Sequence, residues 1–238
     1  MAKQLIIAQK KSIIPSCDVD TLEKLQRIVQ ETFQIEGVGG YKIGFEICLL
    51  FGMPKVVEVI RNYSSLPVIY DHQKAGTDIP EMGVRFAQTC KYVDAVILFP
   101  QAGPVTEREW IRSANGEGLG VIVGGEMTHR GYLSDEGGFL RAEAPLEMYL
   151  VAAEEGVCNF VVPGNKPEKI ALYKNLLLQY TVQQPVFFSP GFISQGGLVK
   201  DAVKAAGENY HPIVGRAIYE ANDIAQATRE LVHQLLHV

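Results

Sequence analysis

The sequence predicts one closed (β/α)8 barrel, and three observations carry that expectation. Short apolar runs alternate with longer amphipathic stretches along the chain. Eight such pairs fit within 238 residues. No proline- or serine-rich linker divides them, so a single domain over 1–238 is expected. A doubly wound open sheet is the competing architecture.

The elements follow in order. Strand one is read at 12–18 ("SIIPSCD"), and "VDTLEKLQRIVQETF" then sets Leu22, Leu25, Ile28 and Val29 on one helical stripe. Strands two to four are read at 41–44 ("YKIG"), 67–71 ("PVIYD") and 94–99 ("DAVILF"). Strand five is 119–125 ("LGVIVGG"), and the helix "PLEMYLVAAEEG" ends on Gly156, a C-cap signal. Strand six is 158–163 ("CNFVVP"), followed by the helical pattern "KPEKIALYKNLLLQY". Strands seven and eight are 185–189 ("PVFFS") and 211–215 ("HPIVG"), and "NDIAQATRELVHQLL" closes the chain as a helix.

Composition excludes some classes of function. Hydrophobic residues make up 47% and charged residues 21%, ordinary for a globular chain large enough to bury a full core. The net charge of −5 argues against a nucleic-acid or anionic-membrane partner. Cys17, Cys48, Cys90 and Cys158 are scattered, which reads as reduced thiols in a cytoplasmic protein. The opening "MAKQLIIAQKKSIIP" lacks the uninterrupted apolar stretch of a secretory signal, and no run approaches a membrane span. No nucleotide-binding glycine motif and no compact metal-ligand set is seen, so no cofactor or metal is expected. "DVD" (18–20) and "EMTH" (126–129) are weak metal alternatives.

In such barrels the site lies at the C-terminal ends of the strands. Those ends carry Asp18, Lys42, then Asp71, Lys74 and Asp78, then "EMTHRG", "PGN" from Pro163, "SPGFISQGG" and "GRAIY". The last two are the loops after strands seven and eight, a usual phosphate position, and Arg216 adds a fork for phosphate oxygens. The alternative is that their glycines only make tight turns. Lys42, Asp71, Lys74 and Asp78 alternate in sign, so each holds its neighbour charged. Such an array suits a reaction in which an anionic group leaves carbon and a proton replaces it. A structural ion-pair cluster is the other reading.

These strand ends resemble, over nearly the whole chain, the orotidine 5′-monophosphate decarboxylase family. The family's strand-three motif Asp-x-Lys-x-x-Asp-Ile-Pro is answered by "DHQKAGTDIP", and its Met-Ser-His-Pro-Gly by "MTHRG". Its Gln-Gly-Gly is matched by 195–197, and its Val-Gly-Arg-x-Ile-Tyr by 214–219. The resemblance implies conversion of orotidine 5′-monophosphate to uridine 5′-monophosphate in pyrimidine synthesis, by a homodimer without metal or organic cofactor. It implies Lys74 as proton donor to C6, Asp71 beside the departing carboxylate, and Lys42 orienting both carboxylates. Asp18 would bind the ribose, and Asp78 would reach the partner's site. Thr128 and Gln195 would meet the base side of the substrate, with Gln195, Gly196, Gly215 and Arg216 on the phosphate, and Pro163, at the end of strand six, is a further substrate-binding candidate. A magnesium-dependent sugar-phosphate enzyme of the same superfamily and a non-catalytic nucleotide binder are the alternatives.

The chain departs from the family pattern in strand three. Asp71 and Lys74 are three apart where the family has two, and on a regular strand these face opposite sides. The expectation is that the strand ends near Asp71 and that Lys74 turns inward from the loop. Met82 stands where the family has a threonine, and "THRGYLSDEGGFLRAEAP" is long enough for a lid or a surface insertion.

Overall fold

The computed structural model describes residues 5–72, 76–180, 184–191 and 198–237. The strands are β1 (Ile14–Cys17), β2 (Tyr41–Gly44), β3 (Val68–Asp71), β4 (Ala95–Leu98), β5 (Gly120–Gly124), β6 (Asn159–Val161), β7 (Val186–Ser189) and β8 (Tyr210–Val214). All pair in parallel, in chain order, and β8 closes on β1 through Ile14 opposite Ile213. The closed barrel, not the open sheet, is the architecture.

The helices are α1 (Leu22–Thr32), α2 (Phe45–Phe51), α3 (Met53–Arg61), α4 (Met82–Thr89), α5 (Pro104–Gly116), α6 (Ala144–Glu154), α7 (Pro167–Leu177), α8 (Leu198–Ala206), α9 (Arg216–Tyr219) and α10 (Ile224–Leu236). Local chemistry explains their ends. The Thr21 hydroxyl accepts from the Lys24 amide to start α1, and Asp223 does the same for Gln226 at α10. Gly156 takes φ of 76° after α6, a left-handed position that glycine adopts without strain. Two helices, not one, follow β2. Gly52, at φ 77°, breaks the path and Pro54 starts α3.

Strand alternation divides the core in two. Ile14, Ile69, Ile97, Ile122, Val161, Phe188 and Ile213 point into the barrel. Their neighbours, such as Ile43, Val96, Val123 and Phe160, face the helices together with Leu25, Ile28 and Val29 of α1. The segment before β1 plugs the barrel floor with Ile7, and Ile6 lies over Gly120, where an added Cβ would come within 2.7 Å of the Ile6 side chain. His211 is also buried inside the barrel, its Nδ1 2.8 Å from the Ser12 hydroxyl, and burial pushes its pKa down to about 3. It is a neutral core residue. His233 and His237 lie together at the end of α10, far along the chain from the strand ends.

Candidate active site

At the C-terminal mouth of the barrel lies a cavity of about 700 Å³. Its lining combines an apolar wall (Ile97, Phe99, Met127, Val161, Ile213) with Ser16, Asp18, Lys42, Asp71, Glu126, Thr128 and Arg216. That size and mix suit a small molecule with both apolar and charged or polar parts.

The polar end is built by three adjacent strands. Ser16 lies opposite Lys42, and Gly44 lies opposite Asp71. Lys42 is buried, with its Nζ 2.9 Å from Asp18 Oδ1 and 3.3 Å from Asp71 Oδ2. The Ser16 hydroxyl donates to Asp18 Oδ2 at 2.7 Å. Burial works to lower the Lys42 pKa, but Asp71 and Asp18 outweigh it and hold the ammonium above its ordinary range. The result is a fixed cation between two carboxylates, and each carboxylate is partly open to the cavity, at 34% and 18% side-chain exposure for Asp18 and Asp71. Gly44 makes this possible, because a Cβ there would lie 2.6 Å from Asp18 Oδ1.

The structure brings together Asp18, Lys42, Asp71, Thr128, Gly215 and Arg216. Strand β3 ends at Asp71, as expected from the stretched motif. His72 turns outward, its ring Nδ1 hydrogen-bonded to the Tyr70 hydroxyl and its ring against Phe86. Lys74, Gln195 and Gly196 lie outside the described residues.

Two expected residues stand apart. Asp78 is exposed and does not line the cavity of its own chain, so the sign-alternating array does not extend to it. Its Oδ1 accepts from the Ile79 amide, and its carbonyl accepts from Thr106. Pro163 is buried and does not line the cavity; its carbonyl accepts from the Lys166 amide in the turn after β6.

Several contributors were not singled out from sequence as parts of the site. Ser16 is an inward position of β1. Asn165 donates to the Thr128 carbonyl at 3.0 Å. Glu126, noted only as a weak metal candidate, is wholly buried; Lys166 Nζ donates to its Oε1 at 2.8 Å, and the Tyr173 hydroxyl to its Oε2. Asp20 pairs with Lys24 on the surface, and His129 is exposed against Tyr132. Among the described residues no group of three or more His, Cys, Asp or Glu is placed to hold a metal ion.

The long loop after β5 is folded onto the barrel. Tyr132 and Leu133 are buried, Leu133 bridges Leu140, Gln101 donates to the Tyr132 hydroxyl at 2.7 Å, and Lys166 donates to Glu136 at 2.9 Å.

Comparison with known proteins agrees with this geometry. Residues 11–231 match the model of the family described as "Orotidine 5'-phosphate decarboxylase / HUMPS family". An orotidine 5′-phosphate decarboxylase of Methanosarcina barkeri is 29% identical over 236 residues, covering 95% of this chain and 96% of the relative. One of Methanococcus maripaludis is 27% identical over 218 residues, covering 91% and 94%. A crystal structure of the Methanocaldococcus jannaschii decarboxylase complexed with the inhibitor BMP superposes with a TM-score of 0.81 at 25% identity, over 95% of this chain and 99% of that one.

Proposed function

Since the chain belongs to the orotidine 5′-phosphate decarboxylase / HUMPS family, we propose that it is a carboxy-lyase converting orotidine 5′-monophosphate to uridine 5′-monophosphate and CO2. The observation that carries this reading is the buried Lys42 ammonium held between Asp18 and Asp71 at the mouth of the cavity. A reaction in which an anionic carboxylate departs as CO2 and leaves its electron pair on carbon is favoured by a fixed anion beside that carboxylate and a fixed cation that holds the anion in place.

In the proposed mechanism Arg216, Gly215 and the 195–196 segment hold the phosphate, and Thr128 and Gln195 meet the pyrimidine. Asp18 and Lys42 take the ribose hydroxyls. Phosphate binding, remote from the reacting carbon, drives the substrate carboxylate against Asp71. The C6–carboxylate bond breaks, CO2 leaves, and the electron pair stays on C6. The Lys74 ammonium stabilises that pair and then delivers its proton to C6. The apolar wall of Ile97, Phe99, Val161 and Ile213 keeps water from competing for the pair. No metal or organic cofactor takes part in these steps.

The proposed working unit is a cytoplasmic homodimer in which Asp78 serves the partner's cavity. Its exposure and its separation from its own cavity support that arrangement.

Incubation with orotidine 5′-monophosphate tests the function, with uridine 5′-monophosphate identified by chromatography in amounts equal to the substrate lost. Lys74→Ala tests the mechanism. Turnover falls by several orders of magnitude while affinity for uridine 5′-monophosphate changes little. Equal loss of both makes Lys74 a binding residue only.

A further inference from the structure

A carboxylate wholly buried beside a ligand cavity is costly unless it is fully paired. Glu126 is such a group. It follows β5, lines the cavity, and has no side-chain exposure. Both of its oxygens are occupied, Oε1 by Lys166 and Oε2 by the Tyr173 hydroxyl of α7. A carboxylate with both oxygens committed to neighbours is a strut rather than an acid or base.

Lys166 is the centre of the arrangement. It sits in the turn between β6 and α7, is 13% exposed, and donates to Glu126 on one side and to Glu136 on the other. Burial works to lower its pKa, and the bonds to Glu126 and Glu136 more than restore it, so the ammonium stays charged. Glu136 belongs to the short 3-10 turn Ser134–Glu136 in the long loop after β5. Hydrogen bonding from Lys166 lowers the Glu136 pKa in turn. One side chain therefore ties three segments: the end of β5, the loop that follows it, and the turn after β6. The residue before it, Asn165, holds the Thr128 carbonyl. Residues 126–128, which face the base end of the cavity, are thus pinned from two adjacent positions.

We propose that Lys166 is a positioning residue for pyrimidine recognition. Through Glu126 and Glu136 it locks the 126–128 segment and the 129–143 loop into the geometry that receives the base. Among the described residues Lys166 bonds to Glu126 and Glu136 and not to Gly215 or Arg216, which follow β8 at the phosphate end. This inference rests on the nucleotide reading of the cavity.

The test uses the full-length protein and two probes, uridine 5′-monophosphate and inorganic phosphate, titrated by calorimetry into the wild type, Lys166→Met and Lys166→Arg. Removing a charged hydrogen-bond partner from a buried carboxylate predicts that Lys166→Met weakens uridine 5′-monophosphate about tenfold or more. Inorganic phosphate binds it as it binds the wild type, and Lys166→Arg restores most of the nucleotide affinity. With orotidine 5′-monophosphate, Lys166→Met raises KM more than it lowers kcat. If Lys166→Met does not fold, Glu136→Gln replaces it, because that partner is at the surface and its loss leaves the barrel intact. The expected effect of Glu136→Gln is a weakening of the nucleotide alone by roughly threefold. Unchanged nucleotide affinity in the folded variant, or parallel loss of phosphate affinity, overturns the proposal. Absence of turnover in the wild type overturns the decarboxylase reading instead, and the comparison of the two probes still decides the role of Lys166.

Discussion

Lys42 and Asp18 form an ion pair, Nζ to Oδ1 2.9 Å, in a space that exists because residue 44 has no side chain. Gly44 has an extended backbone that any residue can adopt, at φ −105°, so its role is room rather than conformation. The expected result for Gly44→Ala is therefore a folded protein, with stability within about 1 kcal/mol of the wild type. Its Asp18 carboxylate is displaced from Lys42, and affinity for uridine 5′-monophosphate falls about tenfold. Urea unfolding and calorimetric titration check the two halves. A variant with intact nucleotide affinity would mean that the Asp18 position is not used.

Glu107 gives a pH signature distant from the cavity. It is buried on α5 at 2% exposure, its Oε1 lacks a hydrogen bond among the described residues, and burial raises its pKa to about 9. The native state keeps the proton while the unfolded chain releases it above the ordinary glutamate value of 4.5. The unfolded state then binds fewer protons than the native state, so stability falls as pH rises from 4.5 towards 9. Glu107→Gln removes this slope. It is expected to stabilise the protein by on the order of 2 kcal/mol at pH 8 and by little at pH 4 to 5. Chemical unfolding across that range reads it, and parallel curves for the two proteins would refute it.

Arg216 lines the cavity at the start of α9. If it holds the phosphate, Arg216→Ala weakens uridine 5′-monophosphate by about ten- to a hundredfold, the loss of a charge-assisted pair. Uridine, which lacks the phosphate, binds both proteins alike. Equal losses for nucleotide and nucleoside would assign Arg216 to the base or ribose.

Asp78 is absent from its own cavity, and a cross-subunit role makes a distinctive prediction. Asp78→Asn and Lys42→Met are each expected to be nearly inactive alone. Mixed and allowed to exchange subunits, they form hybrids with one doubly damaged and one intact site, recovering about a quarter of wild-type activity for a two-fold dimer. Analytical ultracentrifugation establishes the dimer first. No recovery from exchanged hybrids would place Asp78 outside the partner's site.

Much of the fold was legible because the signals were local. Runs such as "AVIL" and "VFFS" are short, apolar and flanked by turn residues, and β4 and β7 fall where those runs stand. The stripe of Leu25, Ile28 and Val29 faces the core as its spacing required. The break at Gly52 and Pro54 was equally local, yet the apolar "FEICLLF" before it blurs into one longer helix. In the site, Asp18, Lys42 and Asp71 were legible because barrel topology gathers strand ends regardless of their distance in sequence. Lys166 was not. Its bond to Glu126 spans 40 residues and joins the turn before α7 to the end of β5, which no spacing rule encodes. Asp78 shows the reverse case, in which sign alternation along the chain suggested a neighbour that the fold carries away from the mouth.

The most direct test of the central claim is the initial rate of orotidine 5′-monophosphate loss, followed by its absorbance, for the purified protein with and without a chelator. The account predicts rapid conversion to uridine 5′-monophosphate at the same rate in both. No conversion by the folded protein, or conversion that stops with chelator and returns with magnesium, would contradict it.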